Sequence, residues 1–313
     1  MKTGAPLRMA VVGVGHLGRH HLRILSSMPG VALAAAVDLR LDRAQPAEAA
    51  GGRALTDFHD LFGLVDAAVV AVPTADHLAV AVPLLERGIH VLVEKPIAAS
   101  TAEADRIVAA ARASGATLAV GHSERFNPAI RAALPELRTP RFIEVHRLSE
   151  FPERSLDIDV IFDVMIHDLD IVSAVDSSEV VSVEAIGVPV LTPRVDIANV
   201  RLRFASGCIA NLTASRISRD KVRKVRFFQP DMYVSVDYAA HEVEIWRLTP
   251  RPGQRPAIVG GPVEVSKDEP LVLELRDFVD AVRTGRPPTV TGDAGRRALA
   301  LAERVAAEIA RTL

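Results

Sequence analysis

The chain has 313 residues and only one cysteine, Cys208, so no intrachain disulfide framework can hold it together. A lone thiol fits a reducing compartment, and a cytoplasmic location is expected. Aromatic residues make up only 4 %, and Lys plus Arg (37) nearly balances Asp plus Glu (39). With neither a basic field nor many stacking platforms, nucleic acid is not an expected partner. Long apolar runs are also missing, because Asp, Arg or His interrupts each one before it reaches membrane-spanning length. Met1 to Arg8 lacks the apolar core of a signal peptide, and there is no internal repeat or low-complexity tract. The expectation is a soluble protein of two domains, with no membrane partner.

What is present begins with a β-rich run, Leu7 to Val14, that ends in Gly13-Val14-Gly15-His16-Leu17-Gly18. A helical pattern follows, with Leu17, His21, Ile24 or Leu25, and Met28 on one face, stopped by Pro29-Gly30. A second strand, Val31 to Val37, leads into Asp38, twenty positions after Gly18. Strand, glycine turn, helix, strand and acid in this order form a dinucleotide-binding fingerprint. Gly13 makes the tight turn, Gly15 lets backbone approach a pyrophosphate, and Gly18 allows close helix packing. His16 is read as a contact on the cofactor side and Leu17 as part of the same turn. His16 and His20 also have the i, i+4 spacing of a metal pair, but a cofactor contact for His16 and solvent for His20 are favoured. Asp38 would accept hydrogen bonds from ribose hydroxyls, which favours NAD. Arg40 keeps NADP open by offsetting repulsion of a 2′-phosphate.

Further strands and helices alternate up to about residue 121. Thr56 is a candidate cap for a short helix through Leu61-Phe62, and Asp66 to Val72 is an apolar strand ending at Pro73-Thr74. A helix over about Ala75 to Arg87 should kink or start late at Pro83. His90 to Glu94 is a buried strand, Ser100-Thr101-Ala102-Glu103 a capping box, Gly115 a helix stop, and Thr117 to Val120 a short strand. The expected fold class is α/β, with an N-terminal Rossmann domain (1–121) built on a doubly wound parallel sheet. A C-terminal α+β domain (122–313) with a large open, mostly antiparallel sheet follows. Its strands are expected near 141–148, 180–190, 197–204, 208–215, 224–229, 232–237 and 242–248, with a hairpin turn at Ser206-Gly207. Helices are expected over 125–134, 160–175, 271–284 and 294–311, with a Pro/Gly-rich loop over 249–262. The last two helices are free to pack back on the first domain.

Two stretches carry chemistry. The strand Val91-Leu92-Val93 runs into Glu94-Lys95-Pro96, and proline ends it as soon as Lys95 is presented at the carboxyl end of a parallel strand. In Asp157-Ile158-Asp159-Val160-Ile161-Phe162-Asp163-Val164-Met165-Ile166-His167-Asp168, helical spacing puts Asp159, Asp163 and His167 on one face. An Asp one turn before a His can orient the imidazole and raise its basicity. A carboxylate–histidine metal site lacks a second histidine or a cysteine pair, and no metal is expected. Asp157 and Asp159 also suit a helix N-terminus, and a satisfied core histidine is the alternative for His167.

Together, the Gly13/Gly15/Gly18 fingerprint, Pro73-Thr74 with His77, Glu94-Lys95-Pro96, and Asp163 with His167 resemble the Gfo/Idh/MocA family of NAD(P)-dependent oxidoreductases over essentially the whole chain. The resemblance implies that Lys95, Asp163 and His167 sit at the substrate and that Lys95-Pro96 is cis. It places Pro73, Thr74 and His77 on the nicotinamide side and implies a homodimer or homotetramer assembled through the second domain. Met165 departs from the small residue that many members carry two positions after the Asp. With Gly121-His122-Ser123-Glu124-Arg125-Phe126-Asn127-Pro128, the run around Met165 is similar to a narrower group oxidising the C3 hydroxyl of UDP-N-acetylhexosamines. That similarity nominates His122, Glu124, Arg125 and Asn127 for a sugar or nucleotide-sugar substrate. Arg125 and a basic run from Arg216 to Arg226 are the candidates for a diphosphate, although a solvated strand face explains most of that run.

The implied reaction is hydride transfer between a sugar carbinol carbon and nicotinamide. His167 is assigned as general base and Lys95 as the cation beside the reacting oxygen. Asp163 orients His167 or pairs with Lys95, Lys95 is itself an alternative base if burial lowers its pKa, and Glu94 positions Lys95 or the cofactor. The alternatives are a dehydrogenase of a free sugar or inositol and a non-catalytic NAD-binding sensor or structural protein.

Overall fold

The computed structural model describes residues 4–151 and 158–311; Asp157 lies outside them. The first half of the chain contains β1 (Leu7–Val12), α1 (Gly18–Leu25), β2 (Val31–Val37), α2 (Leu41–Ala44), β3 (Arg53–Leu55), β4 (Ala67–Val70) and α3 (His77–Glu86). It continues with β5 (His90–Glu94), α4 (Thr101–Ser114), β6 (Leu118–Gly121), α5 (Pro128–Ala133) and β7 (Phe142–Leu148). The remainder comprises α6 (Ile166–Val175), β8 (Val180–Val188), β9 (Ile197–Phe204), β10 (Ile209–Ser215), β11 (Val222–Gln229), β12 (Met232–Asp237), β13 (Glu242–Thr249), β14 (Ala257–Val263), α7 (Pro270–Thr284) and α8 (Gly292–Ala310).

The chain divides into two compact units, one running to His122 and including Leu271–Arg296, the other made of Ser123–Pro270 and the segment from Arg297 onward. The units are therefore discontinuous in sequence, with α7 and the start of α8 belonging to the first, the return that was left open for the last two helices. The first is a six-stranded, wholly parallel sheet of order β3-β2-β1-β4-β5-β6. Its central strands are apolar without alternation because helices cover both faces of such a sheet; Val91, Leu92 and Val93 are all 0 % exposed. On one face Leu22 and Leu25 of α1 and Leu275, Phe278 and Val279 of α7 share a core with Met9, Val69 and Leu92. Each fully buried side chain of this kind contributes roughly 1.5–3 kcal/mol. Strand order reverses between β1 and β4, which opens a crevice at their carboxyl ends.

Local signals explain most element ends. Ser100 accepts from the Glu103 N–H, Glu103 accepts in return from the Ala99 N–H, and Gly115 closes α4 at φ +72°. Thr56 is not a cap: Asp57 is, accepting from the His59 N–H. Leu17, expected on the buried face of α1, is 41 % exposed at its N-cap. α3 starts at His77 and continues through Pro83.

The second unit is an eight-stranded sheet of order β14-β13-β12-β11-β7-β10-β9-β8, in which only β7 and β10 pair in parallel. One face packs Ile143, Val145, Val200, Leu202 and Phe227 against α5, α6 and the last turns of α8, through Ile130, Leu169, Leu301 and Val305. Gly207, at φ +88°, makes the β9–β10 turn. The Pro/Gly-rich run holds a strand that composition concealed. In β14, a Cβ on Gly260 would lie 1.9 Å from the Ile245 carbonyl oxygen, so glycine is there to let two strands pair closely. Among the described residues, no helix is long and apolar enough to cross a membrane.

Candidate active site

The glycine turn is built by two kinds of crowding. Gly13 has φ +86°, and a Cβ there would sit 2.7 Å from the backbone of Ala71 and Val72, in the loop after β4. At Gly18 a Cβ would lie 1.8 Å from the Gly13 carbonyl oxygen, so the first turn of α1 closes directly over the β1 exit. A Cβ on Gly15 meets nothing within 4 Å. The fold itself requires glycine at 13 and 18, whereas at 15 the bare backbone faces open space, which suits a pyrophosphate approaching the start of a helix. At the end of β2, Asp38 accepts from the Val14 N–H (2.8 Å) with one oxygen and from the Arg40 N–H (2.9 Å) with the other. This fixes the carboxylate beside the turn. The Arg40 guanidinium turns to Asp42 instead (2.8 Å). His16 and Leu17 are exposed on the turn; the His16 and His20 rings lie edge to face at 5.6 Å. No group of three or more potential ligands able to hold a metal occurs among the described residues.

The second part of this site is the end of β5. Glu94, 6 % exposed, places Oε1 2.7 Å from Nε2 of His21 on α1, and its Oε2 accepts from the Lys95 N–H at 3.1 Å. Burial pushes the Glu94 carboxyl up, but His21 and Lys95 pull it down further, and the net effect is below the usual range. The Lys95-Pro96 peptide is cis. Lys95 and Thr74 are half-buried and Pro73 is exposed.

His77 departs from its expected placement. It is only 1 % exposed, with Nδ1 2.9 Å from the Pro96 carbonyl oxygen and Nε2 3.0 Å from that of Val72. A neutral ring donates to only one of these at a time, and burial lowers the His77 pKa below the usual histidine range. The ring is committed to the backbone, linking the loops that carry Thr74 and Lys95, and is not presented to a ligand.

In the second unit, five residues, Ile161–Met165, wind as a π-helical turn before α6. Such turns concentrate at functional positions because they re-aim side chains. Asp163 lies in this turn and His167 near the start of α6, both half-buried, while Met165 and Ile166 are fully buried beside them. Asp159 precedes the turn, and its carboxylate is committed to the Val195 N–H, from which it accepts at 3.0 Å.

Asp168, the residue after His167, belongs to an ion cluster that sequence reading missed. Arg147 grips Asp168 through Nε (2.7 Å) and Nη2 (2.8 Å), reaches Glu124 through Nη1 (2.9 Å), and stacks 5.0 Å from the Tyr238 ring centre. Burial works against its charge, but Asp168 and Glu124 keep Arg147 firmly protonated, while burial drives the Tyr238 phenol well up. The usable signal was register: Ile143, Val145 and Arg147 alternate on the inward face of β7, and an arginine there demands a buried acid.

The nominated substrate residues divide. His122 is fully buried at the end of β6. Glu124 is tied to Arg147, and Arg125 is half-buried with Nη1 3.3 Å from Asp170. Two nominations are corrected. Asn127 caps α5, accepting from the Ala129 N–H (3.0 Å) and donating to the Tyr238 carbonyl (3.2 Å). Arg216 is 0 % exposed, its guanidinium bound to Asp196 (2.9 Å), the Ile158 carbonyl (2.7 Å) and Thr192 (3.1 Å), so it is not available to a diphosphate. Charge alone does not distinguish an arginine that ties a core from one that faces a ligand. Farther along the basic run, Lys224 and Arg226 are exposed and paired with Asp237 and Glu144.

Residues 7–122 match an oxidoreductase family with an NAD-binding Rossmann fold, and residues 134–234 match the GFO/IDH/MocA C-terminal domain. The chain is 39 % identical over 306 residues to the UDP-N-acetylglucosamine 3-dehydrogenase of Acidithiobacillus ferrooxidans, covering 96 % of each. A solved structure of the enzyme of that name from the same organism superposes with a TM-score of 0.90 at 36 % identity, over 98 % of each chain. A myo-inositol 2-dehydrogenase of Thermotoga maritima is 26 % identical over 316 residues, 94 % of each chain. A parallel Rossmann sheet with a glycine turn, an eight-stranded second sheet and near full-length identity of this order have one reading: the chain is a member of the Gfo/Idh/MocA family of NAD-binding oxidoreductases.

Proposed function

We propose that this enzyme oxidises the C3 hydroxyl of a UDP-N-acetylhexosamine, most simply UDP-N-acetylglucosamine. The observation that carries the reading is the 39 % identity, across nearly the full length of both chains, to a dehydrogenase named for that substrate. The inositol dehydrogenase relative is more distant, at 26 %.

NAD, when bound, supplies the hydride acceptor. Gly13, Gly15 and the start of α1 would hold its pyrophosphate, and Asp38 would accept from its ribose hydroxyls. Arg40 bonds its guanidinium to Asp42 while Asp38 keeps its carboxylate beside the turn, so a 2′-phosphate would meet like charge, which favours NAD over NADP. The sugar carbon gives up a hydride and its hydroxyl gives up a proton, leaving a ketone. His167 receives that proton and Asp163 orients the imidazole, while Lys95 stabilises negative charge developing on the oxygen. Arg125 is the residue best suited to a substrate phosphate.

The same reading includes a homo-oligomer in the cytoplasm. The sheet face of the second unit turned away from its helices carries a row of rings, with Phe142 to Phe228 at 5.5 Å and Phe228 to Tyr233 at 5.2 Å. All three rings are half-buried in the isolated chain, and an aromatic row left partly open in this way favours burial against a second copy. Phe228→Glu should then lower the mass measured by light scattering, and an unchanged mass would remove this face from the assembly.

Reduced-nicotinamide absorbance with NAD and a panel of UDP-sugars, free aldoses and inositols tests the substrate. Turnover of UDP-N-acetylglucosamine is expected; a free polyol turned over in its place overturns the reading. Lys95→Ala should reduce kcat about 10²–10⁴-fold while NAD still binds. If it loses neither, Lys95 has no catalytic part.

A further inference from the structure

α7 carries an acid that the proposed chemistry does not use. Glu274 is 2 % exposed, and neither carboxyl oxygen has a hydrogen-bond partner among the described residues. It stands one position before Leu275 on the helix face that packs, with Phe278 and Val279, into the core shared with α1 and the parallel sheet. Nδ1 of His21, on α1, is buried and likewise without a partner among the described residues. Between them in role stands Glu94, whose two oxygens are committed to His21 Nε2 and to the Lys95 N–H.

Glu94 has little room to move. A Cβ on Gly121, across β6, would lie 2.9 Å from its Oε2, so the carboxylate rests against bare backbone in a slot that only glycine leaves open. The charged groups bearing on Glu274 are Glu94 at the end of β5 and Asp277 on its own helix, while Lys95 and His21 face Glu94. Asp277 is turned outward to Arg286 and Thr289. Glu94 holds its charge in this dry core through His21, and a second carboxylate charge acting on it there is disfavoured, so Glu274 carries the proton. Glu94 has the partners that stabilise a negative charge and Glu274 has none. Burial, then the Glu94 charge, then Asp277 drive the Glu274 carboxyl well above the usual range.

We propose that Glu274 is a positioning residue for Lys95, acting through Glu94. As a neutral acid it leaves Glu94 to hold the Lys95 backbone against His21. As a carboxylate it repels Glu94 out of its slot and loosens the turn that presents the ammonium. The inference rests on the reading of Lys95 as the cation at the reacting oxygen.

Infrared titration of the whole protein tests protonation apart from activity. The wild type should show a protonated buried carboxyl at neutral pH that is lost in Glu274→Gln; its absence in the wild type overturns the proposal. The ratio of kcat at alkaline to neutral pH should be at least about threefold higher in Glu274→Gln than in the wild type. Lys95 and His167 are common to both proteins and cancel in that ratio, so equal ratios overturn the positioning role. Should Glu274→Gln fail to fold, Glu94→Gln supplies the check: the infrared midpoint of Glu274 should fall by at least about one pH unit, a tenfold change in proton affinity. An unchanged midpoint overturns the proposal. An inactive wild type or a fully active Lys95→Ala would instead refute the catalytic reading, leaving the infrared result standing.

Discussion

The two units bury charge in opposite ways. In the second, each buried arginine is matched: Arg147 is gripped by Asp168 and Glu124, and Arg216 by Asp196 with a carbonyl and a hydroxyl. In the first, His21 and Glu94 pair, yet Glu274, which feels the Glu94 charge, has no hydrogen-bond partner among the described residues. A matched buried pair costs desolvation but fixes geometry, and breaking it exposes the full cost of the charge left behind. An unmatched acid avoids that cost by staying protonated, which makes it a point where pH enters the fold. The Arg147 cluster fastens α6, which carries His167, to β7 through Asp168.

Four substitutions would break or sharpen that contrast. Arg147→Met strands Asp168 and Glu124 and should cost about 3–5 kcal/mol, read as a lower urea midpoint. Asp196→Asn should cost somewhat less, about 2–3 kcal/mol at neutral pH. Asp196 accepts from the backbone N–H groups of Val190, Leu191 and Thr192 and from Arg216. Burial raises its pKa, but these donors outweigh it and hold the carboxyl well below the usual range. Because the folded value is depressed, this stability is present above the ordinary carboxylate pKa of about 4 and lost as pH falls through the folded value. The gap between wild type and Asp196→Asn should close in acid.

Glu274→Met should act with the opposite sign, raising stability by about 1 kcal/mol at neutral pH. The folded Glu274 pKa is raised, so its neutral form contributes fully below the unfolded value of about 4.3 and loses that contribution as pH climbs through the folded one. The advantage of Glu274→Met should therefore widen on the alkaline side; a constant gap in thermal midpoints would show that Glu274 does not titrate there. The smallest effect on stability is expected of Gly15→Ala, whose Cβ meets open space. Its midpoint without cofactor should match the wild type while NAD affinity, by fluorescence titration, falls about tenfold or more. Equal affinity would move the pyrophosphate away from Gly15.

Several features were legible without a structure because they depend on short-range physics. The glycine turn, the strand alternation of β9 and β12 and the Ser100 cap all follow from local sterics, periodicity and hydrogen bonding. β14 was hidden because Gly260 is dictated by the carbonyl of a neighbouring strand rather than by its own segment. Asp159 was read as facing the site with Asp163 and His167, but its carboxylate is taken by a backbone N–H distant in the chain, that of Val195. Arg216, Asn127 and His77 were read as ligand-facing because residue type names chemistry but not its partner.

Sequence by itself therefore determined the fold class, the cofactor and the candidate residues, since these rest on local pattern and on side-chain chemistry. Only tertiary structure decided which of the charged residues are committed to one another. Burial and pairing join positions as distant as Arg147 and Asp168 or Glu94 and Glu274, and a buried charge takes its protonation and its work from neighbours that the chain order does not reveal.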